Sequence, residues 1–150
     1  MEATTVGSGI LLSQDVDIYE GETAAETVVR MLQNNGYSVD YTGNYEIGFY
    51  LARISSESNF VTGNIPEDLR TKLEEHGFEI YDFTPNSLGD YDFTKGSGWM
   101  YQVNGVYPNY GLSDYCFQNG DTLRLRFTLA YGADIGQDMT GGSDNWGYEW

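Results

Sequence analysis

An α+β domain is the fold class that this 150-residue sequence predicts, and three observations predict it. Short segments that alternate polar and apolar residues open and close the chain, the period-two signature of half-buried strands. Between them one segment, AAETVVRMLQN, carries apolar residues at helical spacing behind a capping signal. Composition supplies a core: 40% of residues are hydrophobic and 15% aromatic, in a chain long enough to bury roughly 68–70% of its unfolded surface. Such a domain needs neither a disulfide nor a structural metal, and a single cysteine, Cys116, makes an intrachain disulfide impossible.

The elements follow in order. Residues 9–12, GILL, and 15–19, DVDIY, read as two short strands, with Val16 and Ile18 alternating with Asp15 and Asp17. The main helix spans about 24–34. Thr23 and Glu26 form a capping box that satisfies two orphan N–H groups reciprocally, Ala25, Val28, Val29 and Leu32 share one face, and Asn34-Asn35-Gly36 supplies the stop. Its apolar side is expected against the concave face of a sheet. YSVDYTG and YEIGFYLARIS, rich in tyrosine, valine and isoleucine, read as strands. A second short helix, about 66–76, starts at Pro66 with Glu67 and Asp68 complementing the dipole, and closes at Gly77. Leu69 and Leu73 give it only a thin apolar stripe, so it belongs on the surface. YDFTPNSLGDYDFTKGSG is loop by composition. Strand signal resumes at WMYQV, where alternation puts Trp99 and Tyr101 on one face and Met100 on the other. Asn104-Gly105 is a two-residue hairpin signal, because both positions of a type I′ turn need positive φ. Cys116, in DYCFQ, reads as a small packed strand residue. Asn119-Gly120-Asp121 marks another turn, and TLRLRF alternates after it. A hairpin feeding one main helix across a mixed sheet is a β-grasp-like arrangement.

Charge narrows the partners. Twenty-three acidic against seven basic residues give a net charge of −16, which repels phosphate backbones and anionic membranes, so no nucleic-acid partner is expected. Nor does any apolar run approach the ~20 residues of a membrane span, so no direct membrane insertion is expected either. The opening MEATTVGSGILL lacks the basic and apolar regions of a signal peptide. Either the protein is cytoplasmic or the chain begins downstream of its signal.

Residues Gly98-Trp99-Met100-Tyr101, Val103-Asn104-Gly105, Gly111, Tyr115 and Gly120-Asp121 occur in an order that resembles the transcobalamin-like C-terminal domain family. This family includes the small β-domain of transcobalamin and intrinsic factor and domains of bacterial cell-surface proteins. YGADIG at 131–136 and EGET at 20–23 ahead of the helix fit the same plan. The resemblance implies a single domain over 1–136, with an insertion at about 55–94, and a Gly/Asp/Trp-rich tail or linker over 137–150. It implies an extracellular or cell-surface location within a larger protein, and cobalamin as a ligand. The large helical barrel that grips most of the cobalamin in transcobalamin is not in this sequence, and no residue carries over as a cobalamin contact.

Candidate chemistry is sparse. His76 is the only histidine and sits at a helix end, where its imidazole faces the terminal carbonyls. One histidine assembles neither a zinc site nor a hydrolase triad of the usual kind. Asp90 and Asp92 in DYDFTKGSG, with Asp134 and Asp138 in DIGQDMTGGSD, offer oxygen ligands on glycine-rich loops, chemistry that suits calcium. They miss the EF-hand pattern: Lys95 stands where glycine is required and Tyr101 where the bidentate glutamate belongs. Solvated acidic loops are the simpler reading, and no metal or cofactor is expected. The recognition candidates are Tyr107, Asn109, Tyr110 and Tyr115, on or beside turns. Pro108 breaks donor continuity, so 107–110 should bow outward as an exposed loop, and replacing Tyr107 and Tyr110 by alanine should cost little stability. Edge cover is the alternative role for these rings. The expected function is a non-enzymatic binding or adhesion module engaging an extracellular protein, glycan or small molecule. The second reading is a binder of cobalamin or a related corrinoid, and the third an enzyme.

Overall fold

The computed structural model describes residues 1–136 of the chain. The expected tail at 137–150, with Asp138, lies outside the described residues. Seven strands and two α-helices follow in order: β1 (Glu2–Ala3), β2 (Gly9–Ile10), α1 (Ala24–Asn34), β3 (Tyr37–Thr42), β4 (Tyr50–Ser56), α2 (Glu67–Glu75), β5 (Ser87–Gly89), β6 (Gly98–Val103) and β7 (Leu123–Thr128). The domain is mixed α+β, as predicted.

The strands form two sheets. One is mixed, in the order β2-β1-β7-β6. Here β1 runs parallel to β7, with Glu2 opposite Arg126, and each is flanked on its outer side by an antiparallel partner. First and last strands lying parallel at the centre is the β-grasp order. The second sheet, β3-β4-β5, is antiparallel throughout. Trp99 of β6 joins the sheets by donating its indole N–H to the Leu88 carbonyl of β5 at 2.8 Å.

Helix α1 forms for the reasons the sequence states. Glu26 N–H donates to Thr23 Oγ1 at 3.3 Å, Thr23 N–H donates to the Glu26 carboxylate at 2.8 Å, and Thr23 Oγ1 also donates to the Tyr45 carbonyl. Its face of Ala25, Val28, Val29 and Leu32 enters one core shared with Ile54 of β4 and Leu125 and Phe127 of β7. Burial of this kind contributes roughly 1.5–3 kcal/mol per large aliphatic side chain. Helix α2 buries Leu73, packs a half-buried Leu69 against the core and leaves most of its other residues exposed, as a thin stripe requires. Asn104 (φ +52) and Gly105 (φ +83) make the predicted tight hairpin, with Val103 and Val106 exchanging N–H···O bonds of 2.9 and 3.1 Å.

Four local expectations are corrected, the first being that Ser87–Gly89, inside the segment read as loop, forms β5 against β4. Residues 15–19 are not a strand. The N–H groups of Leu11 and Leu12 both turn back to the Met1 carbonyl, which ends β2, and Arg30 of α1 takes the Asp17 carbonyl and covers the Tyr19 ring at 4.6 Å. Strand β4 starts at Tyr50 rather than Tyr45, because the Asn44 carboxamide accepts from Glu46 and Ile47 N–H and folds that segment into a turn. Cys116 lies outside any strand and is exposed.

Candidate functional site

Strand β6 lines the principal cleft with Trp99, Met100 and Tyr101, and β7 contributes Leu125. Trp99 stands opposite Phe127 and Tyr101 opposite Leu125, while Met100 pairs with Arg126 on the other side of the pleat. Trp99 and Phe127 meet edge to face at 5.3 Å. The start of β4 brings Phe49, Tyr50 and Leu51 alongside, and the segment 107–112 forms the remaining wall. The space enclosed is about 290 Å³.

Segment 107–112 is clamped rather than loose. Tyr101 donates its hydroxyl to the Tyr110 carbonyl, and Phe49 N–H donates to Ser113 Oγ at 3.2 Å just beyond it. Tyr107 donates to the Ile135 carbonyl at 2.7 Å and accepts from Arg126 Nη1 at 2.8 Å. The expectation that Tyr107 belongs to an exposed loop is therefore corrected: it is 5% exposed. Pro108 does interrupt the backbone donors, but the Tyr107 ring has already turned inward to a carbonyl and a guanidinium that bury it. Asn109 and Tyr110 are exposed as expected, Tyr110 at 41%. Tyr115 does not reach the cleft. It stacks on Tyr110 from outside (5.8 Å between ring centres, planes 23° apart) and donates its hydroxyl to Asp121 at 2.7 Å.

Three of the four sequence candidates, Tyr107, Asn109 and Tyr110, thus line one cleft, and Tyr115 buttresses it. Sequence reasoning missed Phe49, Tyr50, Leu51 and Met100. The only available signal was the run FYLARIS, which marks a strand but not its neighbour.

The phenols here are hydrogen-bond donors. Burial first, then the phenol of Tyr110 and the carboxylate of Asp114, push the Tyr101 hydroxyl well above the ordinary tyrosine range. Burial likewise raises Tyr107, outweighing the nearby Arg126 guanidinium. Burial, and then donation to Asp90, raise Tyr50. Tyr115 is pushed up to about 12, chiefly by its bond to Asp121 and then by burial. With the Tyr50, Tyr101 and Tyr107 hydroxyls committed to protein acceptors, the cleft presents ring faces, Met100 and the Asn109 amide, which has no side-chain partner among the described residues.

The carboxylates weighed as calcium ligands have protein partners. Asp92 accepts from Arg53 Nη1 at 2.7 Å and from Gly89 N–H at 2.8 Å. Asp134 accepts from Leu129 N–H at 2.7 Å and from the Thr128 hydroxyl, and burial still raises its pKa. Asp90 accepts the Tyr50 hydroxyl at 2.8 Å. Among the described residues no three His, Cys, Asp or Glu side chains gather to hold a metal ion. Nor is any described helix long and apolar enough to cross a membrane.

Residues 76–128 match the family model described as Domain of unknown function (DUF4430), a family related to transcobalamin-like domains. The match covers β5, β6, β7 and the segment 107–112, so most of the cleft falls within it. No curated protein and no solved structure matches the chain significantly.

Proposed function

We propose that this domain is a non-enzymatic binding module of an extracellular or cell-surface protein, and that its cleft holds a flat apolar group of a ligand or partner. The observation that carries the reading is the cleft's chemistry. Its lining is rings, aliphatics, one proline and one amide, with no carboxylate, imidazole or amine. That set suits dispersion and stacking with a single orienting hydrogen bond, not proton transfer. The net charge of −16 favours a neutral or cationic partner over a polyanion. The surface setting draws its support from the sequence resemblance.

The test uses the neutral flat fluorophore N-phenyl-1-naphthylamine. Saturable emission enhancement, weakened by Tyr110→Ala and by Asn109→Ala while the melting temperature stays put, is the expected result. Non-saturable binding, or binding indifferent to both substitutions, would overturn it.

A second reading is a corrinoid ligand. It is favoured by the relation of the matched family to transcobalamin-like domains and by the cleft lying largely inside the match. At about 290 Å³ the cleft holds an edge of so large a molecule rather than the whole. Titration with cobalamin at high micromolar concentration, followed by absorbance and calorimetry, decides it. The absence of any change ends the corrinoid reading alone.

A further inference from the structure

The rings of Phe49, Tyr50, Trp99, Tyr101, Tyr107 and Tyr110 wall the principal cleft. Hydrogen bonding polarises three of them in one direction. The Trp99 indole donates to the Leu88 carbonyl at 2.8 Å, Tyr101 donates to the Tyr110 carbonyl, and Tyr50 donates to the Asp90 carboxylate at 2.8 Å. A ring whose proton is drawn toward an acceptor carries a more negative face. Tyr110 is covered on its outer side by Tyr115, whose hydroxyl donates to Asp121 at 2.7 Å, so the opposite face of Tyr110 is the one turned to the cleft.

Carboxylates stand behind this wall, and none lines it. Asp90 backs Tyr50, and Asp121 backs Tyr115. At Gly111, another lining residue, an added Cβ would lie 4.0 Å from Asp114 Oδ2. No lysine or arginine among the described residues lines the cleft. Arg126 reaches the Tyr107 hydroxyl at 2.8 Å, but Glu2 holds that guanidinium at 2.9 Å, and Arg53 of β4 is paired with Asp92 at 2.7 Å. The cleft therefore joins electron-rich ring faces to an acidic surround, with no charged acceptor inside.

We propose that the group this cleft takes is a flat aromatic cation alkylated at nitrogen, of the N-alkylpyridinium or N-alkylquinolinium class. The proposal rests on the reading of this cleft as the binding site and names the chemistry of its ligand. Ring faces attract a cation through their quadrupole, most strongly where water is excluded. The net charge of −16 adds to that attraction. The absence of N–H groups on the ligand follows from what the lining lacks. An ammonium or guanidinium would bring donors that no lining carboxylate receives, and burying them unpaired is costly. A nitrogen bonded only to carbon has no donor to satisfy, and its flat ring system retains the stacking that the walls offer.

The test titrates the intact chain, by calorimetry and ligand-observed NMR, with three probes. These are N-methylquinolinium, its neutral isostere 1-methylnaphthalene, and 2-naphthamidine, a flat cation that keeps its N–H groups. N-methylquinolinium is expected to fill one saturable site about tenfold or more tightly than either of the others. Tyr110→Ala should weaken it about tenfold, which separates the cleft from general attraction to an acidic surface. Asp114→Asn should cut the preference for the cation over its isostere roughly threefold. Equal or tighter binding of 1-methylnaphthalene, still weakened by Tyr110→Ala, overturns the cation and leaves the cleft as the site. Tighter binding of 2-naphthamidine overturns the N-alkyl assignment in the same way. Cation binding indifferent to Tyr110→Ala, or no binding of N-methylquinolinium, overturns the proposal, and the naphthylamine titration then decides the cleft by itself.

Discussion

Replacing Tyr107 by phenylalanine deletes one oxygen from a nearly closed environment. That oxygen donates to the Ile135 carbonyl at 2.7 Å and accepts from Arg126 Nη1 at 2.8 Å. A neutral bond of this kind contributes about 0.5–1.5 kcal/mol and one to a charged group about 1.5–3 kcal/mol. Arg126 Nη1 also donates directly to the Ile135 carbonyl at 2.7 Å, so neither partner is orphaned by the change. The expected loss is therefore less than the sum, about 1.5–2.5 kcal/mol. Tyr107→Ala also removes the ring and leaves a cavity, for a loss of about 3–5 kcal/mol. The neighbouring Tyr110→Ala, at 41% exposure, should cost no more than about 1 kcal/mol. Urea denaturation monitored by tryptophan fluorescence measures all three, and thermal melts should follow at roughly 2–4 °C per kcal/mol for a chain of this size. A Tyr107→Phe loss below about 0.5 kcal/mol, within the range of ordinary surface changes, would refute the argument that the hydroxyl anchors 133–135. Equal losses for the two alanine variants would refute the division between buried and exposed rings.

Two further outcomes follow from the structure. Burial opposes the charge on Glu2, but hydrogen bonds from Arg124 (2.8 Å) and Arg126 (2.9 Å) override it and hold the carboxyl below its ordinary value of 4.5. A depressed carboxylate stabilises the fold above the unfolded pKa and loses that contribution as pH falls through the folded one. Glu2→Gln should therefore cost about 1–2 kcal/mol at pH 7, between the values for exposed and buried pairs. The gap to wild type should close as pH drops from about 4.5 downward, and a gap independent of pH in urea titrations would refute the charge argument. Cys116, exposed and outside any strand, should react with a thiol reagent in the native protein as fast as in the unfolded chain, apart from local electrostatics. Protection by several orders of magnitude would show it packed.

Much of the fold was legible because it is written locally. The α1 capping box, the Asn104-Gly105 turn, the Gly77 stop and the alternation of WMYQV and TLRLRF each concern residues within four positions of one another, where backbone sterics and hydrogen bonding decide the outcome. Of the aromatic loop candidates, Tyr107, Asn109 and Tyr110 share a cleft. What the tertiary structure decided involves partners far apart in the chain. Residues 15–19 have strand periodicity, yet their carbonyl goes to Arg30 rather than to a ladder. Tyr107 sits beside a proline in a turn-rich segment, yet a guanidinium 19 positions later and a carbonyl 28 positions later draw it inside. Phe49, Tyr50 and Leu51 became walls of the site only because β4 lies beside β6. Tyr91 and Tyr131 hold positive φ inside hydrogen-bonded turns, positions that tyrosine does not itself request. Local patterns set which segments are helix, strand or turn, whereas the side a ring faces depends on what long-range packing places opposite it.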